Sequence, residues 1–121
     1  MKVMSYPVFR AQQKQALIKK NYDEIYAHEL AHKQAGGSLA GSIVIERNSE
    51  GIPISGHVNI KMPLIDKSHP EKTIKDADIV IKSALAPADP SAQDYKVAAQ
   101  AKAIKREAEG IQNKKRLDYY A

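Results

Sequence analysis

The stretch His28-Glu29-Leu30-Ala31-His32 constrains this chain more than any other five residues. It reads H-E-x-x-H inside a segment, roughly Phe9 to Ala35, whose pattern is helical. Positions four apart on an α-helix share a face, so both imidazoles project to the same side. Two neutral imidazoles at that spacing can hold one Zn²⁺, each at about 2.0–2.1 Å. Glu29, one residue beyond the first histidine, can then face the open side of the metal and accept a proton from activated water. Ile18, Tyr22, Ile25, Glu29 and His32 fall on one stripe at spacings of 4, 3, 4 and 3, so the motif continues a core face. A buried glutamate and histidine call for a charge partner, and a metal would be one. The competing reading is a solvated helix with two ordinary histidines and a surface glutamate. Against it, the chain has only four histidines, and two of them stand at ligand spacing.

Composition narrows the chemistry. The 121 residues suit one domain with a modest core, spanning 1–121. There is no cysteine, so disulfides, thiolate-bound zinc and thiol catalysis are excluded. A zinc ion would have to rest on His, Asp and Glu, the ligand set of catalytic sites. No apolar run approaches the ~20 residues that cross a bilayer. Met1 to Gln15 lacks the apolar segment of a secretory signal, which makes a cytoplasmic location the default expectation. The net charge of +5 is uneven: residues 1–20 carry five Lys/Arg and no acid, and 102–116 carry six against Glu107 and Glu109. No aromatic residues interleave with the basic ones of 102–116, so solvated helix faces are expected there rather than a nucleic-acid surface.

The rest of the chain reads as a hairpin and two helices. Met1 to Pro7 reads as an irregular lead-in, and Gly36-Gly37 as the stop of the first helix. Beyond it the period changes to two: Ser42 to Arg47 as a strand, Asn48 to Gly51 as a turn, Ile52 to Lys61 as the return strand. Ile52, Ile54, Val58 and Ile60 then share a face, and Pro53 marks an edge or a lapse in pairing. Ser68-His69-Pro70-Glu71 fits a capping box for a second helix, with Ile74, Ala77, Ile81, Ala84 and Leu85 at core spacing and a stop at Pro87. Asp89-Pro90 or Ser91 caps a third helix, where Val97, Ala101, Ile104, Ala108 and Ile111 form a seam. Fraying is expected from Gly110, with a basic tail over 112–121. The fold class is α+β: a long N-terminal H-E-x-x-H helix, a β-hairpin and two C-terminal helices.

These residues resemble a known group. His28-Glu29-Leu30-Ala31-His32 with Gly36-Gly37, Gly51, Ser55-Gly56-His57-Val58, and the block Ala84 to Asp94 (ALAPADPSAQD) are similar to the SprA-related family. That is a bacterial group regarded as metalloprotease catalytic domains, and the similarity covers about residues 20–105. The resemblance implies zinc at His28 and His32 with Glu29 as catalytic base. It says little about substrate. Where this chain has His57, the family usually carries glutamate in a Gly-Gly-Glu-Val context, an exchange that preserves the capacity to bind zinc.

Two imidazoles need a third protein ligand. Three and six residues after His32 stand Ala35 and Ser38, so the extended metzincin pattern is absent. The candidates are His57, His69, Glu71 and Asp94. His69 and Glu71 have a local role at a helix start, and Asp94 has one in a first helical turn or as a hydrogen-bond partner of a ligand imidazole. His57 is therefore the expected third ligand, although strand alternation sets it opposite the isoleucine face unless a bulge at Gly56 turns it. Tyr26, Tyr95 or backbone amides are open as oxyanion stabilisers. The expected function is a zinc-dependent hydrolase, most simply a small metallopeptidase acting on a peptide or protein substrate, with the hairpin edge aligning an extended chain. The alternative is a non-catalytic helical binding module whose metal is structural or absent.

Overall fold

The computed structural model describes residues 5–120. Helix α1 (Tyr6–Gly36) leads into a short 3₁₀ turn and the strands β1 (Ala40–Arg47) and β2 (Pro53–Ile60), followed by α2 (Pro70–Ala84) and α3 (Ala92–Tyr120). The order is the expected one, and the class is α+β. Met1 to Met4 of the expected lead-in lie outside the described residues. The remainder is helical from Tyr6, because Pro7 occupies the first turn, where a missing N–H costs nothing. Gly37 ends α1 at φ 53°, a left-handed conformation that favours glycine.

β1 and β2 form a two-stranded antiparallel sheet, and α1 packs across one of its faces. The pairs Val44–His57, Ile45–Gly56 and Glu46–Ser55 are in regular register. Register then shifts, since Arg47 pairs with Pro53 and leaves Ile54 as an extra residue on β2. That irregularity overturns the single isoleucine face expected for the return strand: Ile54 is 60% exposed, whereas Pro53 is buried. Asn48 closes the turn, its Oδ1 accepting the N–H groups of Glu50 and Ile52.

The second helix starts differently from expectation. Ser68 is not its cap; α2 begins at Pro70, and the preceding turn is closed by Asp66 Oδ1, which accepts the Ser68 and His69 N–H groups. Those N–H groups hold the Asp66 carboxyl below its usual range, His69 first, outweighing the upward push from burial. α2 and α3 pack on each other most extensively, through Ala77, Val80, Ala84, Ala98, Ala101 and Ala108. Such small side chains let the two axes approach closely. Ala77, Ala84, Ala101 and Ala108 are the expected core positions. Ile74, Ile81 and Leu85 are only half-buried, and Thr73, Val80 and Ser83 take the inner places. The expected fraying after Gly110 gives way to continuous helix as far as Tyr120, with Lys115 Nζ donating to the Ser68 carbonyl. No helix among the described residues is long and apolar enough to cross a membrane.

Candidate metal centre

α1 carries His28, Glu29 and His32 on its inner face, near the end where α1, α2 and β2 meet. Burial along α1 rises toward this end: Ile18 and Ile25 are half-covered, Tyr22 is at the surface, and Glu29 and His32 are each only 6% exposed. The helix comes unusually close to β2 at Gly56. A Cβ there would stand 2.5 Å from Ile25 Cγ2 and 3.1 Å from both Glu29 Cγ and the Val44 carbonyl oxygen. Glycine at position 56 thus lets the sheet approach Glu29 directly. Gly56→Ala is expected to cost about 1–3 kcal/mol of stability, the usual range for overpacking, read as a lower urea midpoint with an unchanged slope.

The two imidazoles converge through their Nε2 atoms, which stand 3.2 Å apart with the rings edge to face. His32 is fixed from behind by α2. Its Nδ1 lies 2.7 Å from the Ser83 carbonyl oxygen, and Ser83 Oγ donates back to the His32 carbonyl at 2.7 Å. A carbonyl oxygen can only accept, so Nδ1 carries the proton and a neutral His32 ring turns the lone pair of Nε2 inward. Outer partners of this kind set the tautomer of metal-binding histidines. The sequence reading passed over Ser83; its signal was a hydroxyl three residues after Val80 on the inward face of α2.

The third group is Asp94, on the first turn of α3. Asp94 Oδ2 is 3.2 Å from His28 Nε2, and Asp94 Oδ1 is 3.2 Å from His32 Nε2. The same residue closes a capping box at the start of α3: the Ser91 N–H donates to Asp94 Oδ2 at 2.8 Å, and the Asp94 N–H donates to Ser91 Oγ at 3.1 Å. Ser91 is thus the cap, one of the two expected. Burial pushes the Asp94 carboxyl up, but the Ser91 N–H, the His32 ring, the Ser91 hydroxyl and His28 together outweigh it and hold the carboxyl below its ordinary value. Asp94 therefore faces the imidazoles as a carboxylate.

His57, expected as the third ligand, lines the same cavity as the two imidazoles but is not in the close group of His28, Glu29 and His32, and its polar partner is Glu46 instead. The bulge that would turn it is absent at Gly56, where register is regular. Strand alternation then sets His57 on the face of the hairpin away from α1, 46% exposed at its side chain, with Nδ1 3.6 Å from Glu46 Oε1. His69 is exposed beside Asp66, and Glu71 is exposed on the first turn of α2. Tyr26 stacks on Tyr22 at the surface and Tyr95 is 58% exposed. Neither tyrosine lines the cavity at the site.

That cavity, about 620 Å³, has His28, Glu29, His32 and Asp94 along one end and continues between β2 and α3. Its donor set fits zinc on two counts. Ligand atoms about 2.05 Å from a tetrahedral ion stand about 3.3–3.4 Å apart; the two Nε2 atoms are 3.2 Å apart, and one oxygen of the Asp94 carboxylate is 3.2 Å from each, Oδ2 from His28 and Oδ1 from His32. The set is also all nitrogen and oxygen, with His32 Nε2 presented by its outer hydrogen bond. The Glu29 carboxylate is a fourth donor group at the site: the ligand-type atoms of His28, Glu29 and His32 lie within 4.8 Å of one another.

No curated protein and no solved structure matches the chain. A family model does match, and it spans residues 7–118, wider than the 20–105 suggested by the motifs and inclusive of every residue of this centre. With that match extending over nearly the whole sequence, the chain belongs to the SprA-related family.

Proposed function

We propose that this protein is a zinc-dependent metallopeptidase whose metal is held by His28, His32 and Asp94 and whose general base is Glu29. The observation that carries the reading is the set of 3.2 Å separations joining two Nε2 atoms and one carboxylate. A zinc ion bound there would supply a Lewis acid that polarises a carbonyl and lowers the pKa of water. The remaining work belongs to the protein. Asp94 compensates the charge of the ion, and Ser91 orients that carboxylate from the backbone of the same turn. Ser83 keeps the His32 ring in one tautomer and one orientation. Glu29 is held over Gly56 at the cavity wall, where its carboxylate can take the proton of the attacking water and hand it to the leaving amine. The free edge of β2 beside the site offers N–H and C=O groups to an extended peptide.

The test is metal content. Protein purified without chelator, or stripped and then reconstituted, is expected to hold close to one zinc per chain by elemental analysis. No transition metal as purified and no uptake on adding zinc would overturn the reading and leave a helical binding module in its place.

A further inference from the structure

The cavity differs in charge from the rest of the surface. Away from the centre its walls are Val58, Ile60, Met62 and Val97, joined by the neutral amides of Asn59, Gln93 and Gln100. No Lys or Arg lines it, and its only Asp and Glu are Asp94 and Glu29; His57, whose Nδ1 is 3.6 Å from Glu46 Oε1, is the one further titratable side chain on its wall. This is not a general property of the chain, of which 27% is Asp, Glu, Lys or Arg. A second cavity of about 620 Å³, between the end of β2 and α2, is lined by Lys61, Asp66, Lys67, Lys72 and Asp76.

The charge-free region also has a direction. On β2 it runs from Gly56, beside Glu29, through Ile60 to Met62. On α3 it runs from Asp94 through Val97 to Gln100, residues on one helical face. Both walls start at the metal centre, and Ala84 of α2 lines the cavity with them. Toward Pro53 to Ser55, the opposite direction along β2, no residue lines the cavity. There α1 covers β2 instead, with Ile25 over Gly56 and Asn21 Nδ2 donating to the Pro53 carbonyl, so the groove leads away from the centre on one side only.

We infer that this groove binds the side chain next to the scissile bond of a peptide and selects an uncharged one, aliphatic or thioether, against Lys, Arg, Asp and Glu. The inference rests on the peptidase reading and deepens it. An aliphatic side chain loses water against Val58, Ile60, Met62 and Val97 and gains contact with them. A charged one gives up hydration there and meets no Lys, Arg, Asp or Glu beyond the centre itself, which the metal would engage. The amides at the groove's sides can hydrogen-bond the peptide backbone while leaving the side-chain preference apolar. A pocket one side chain wide discriminates typically by about 10–200-fold per methylene-sized difference, so exclusion of a full charge should reach at least about tenfold.

The experiment profiles the zinc-reconstituted, full-length protein against a mixture of randomised peptides, with cut sites read by mass spectrometry. The expected profile shows Leu, Ile, Val or Met enriched on one side of the cut, with charged residues at least about tenfold depleted there. Gln100→Glu and Val97→Asp, each checked for one zinc per chain, should raise acceptance of Lys and Arg at that same position. Gln100 is exposed, so its variant gives a readout even if Val97→Asp fails to fold. Cleavage with charged and aliphatic residues equally accepted on both sides overturns the inference and leaves the peptidase reading standing. Selection that neither variant moves overturns the groove as its source. A zinc-loaded protein that cuts no peptide overturns both.

Discussion

Glu29→Gln is expected to keep the fold and the zinc while lowering peptide hydrolysis by at least the ~10²–10⁴-fold typical of a lost general base. The amide has the same shape, so the packing of the side chain over Gly56 survives. What disappears is a carboxylate able to take a proton. Three measurements on one preparation separate the outcomes: zinc per chain, circular dichroism, and cleavage of a peptide mixture. Cleavage at the wild-type rate would remove Glu29 from the mechanism. Full loss of zinc with the fold intact would make Glu29 a ligand, which its place within 4.8 Å of both imidazole donors makes a real alternative outcome.

The second large effect is expected at Asp94. Removing a partner outside the ligand shell typically costs 10–100-fold in metal affinity, so loss of a direct ligand in Asp94→Ala should exceed about 100-fold. His57→Ala should leave zinc affinity where it was. Asp94 also caps α3, and losing a cap costs about 1 kcal/mol by itself. Two further variants separate these roles. Ser91→Ala removes the hydroxyl that accepts the Asp94 N–H but keeps the carboxylate, so it should cost stability more than zinc. Asp94→Asn can still accept the Ser91 N–H but has lost the charge, so it should cost zinc more than stability. X-ray absorption should fit two imidazole nitrogens with oxygens filling the remaining positions. Zinc lost in His57→Ala and kept in Asp94→Asn would reverse the assignment and restore the histidine of the hairpin.

These two experiments bear on the residues where sequence and structure part company. The H-E-x-x-H helix was legible because its information is local: spacing of four on one helix fixes two side chains to one face whatever the rest of the chain does. The same holds for the hairpin turn at Asn48 to Gly51 and for the order of the elements. The alternation that set His57 opposite the buried face was equally local, and it held. Elimination of the other candidates, which favours His57, assumes one role per residue. Asp94 stands in the first turn of α3 as its local role requires, and from there its carboxylate also reaches both imidazoles.

The sequence alone determined the family, the class, the zinc-type pair of histidines and the position of the glutamate between them. Each of those follows from residue identity and short-range period. Tertiary structure decided which groups meet that pair from 51 to 66 residues away along the chain. The Ser83 carbonyl sets one imidazole because α2 lies behind α1. Asp94 reaches both because α2 and α3 pack close along alanines and carry the first turn of α3 to the metal centre. Gly56 brings β2 against Glu29 because no Cβ stands between them. Such meetings depend on how closely backbones approach, and the period of apolar residues along a chain does not encode that distance.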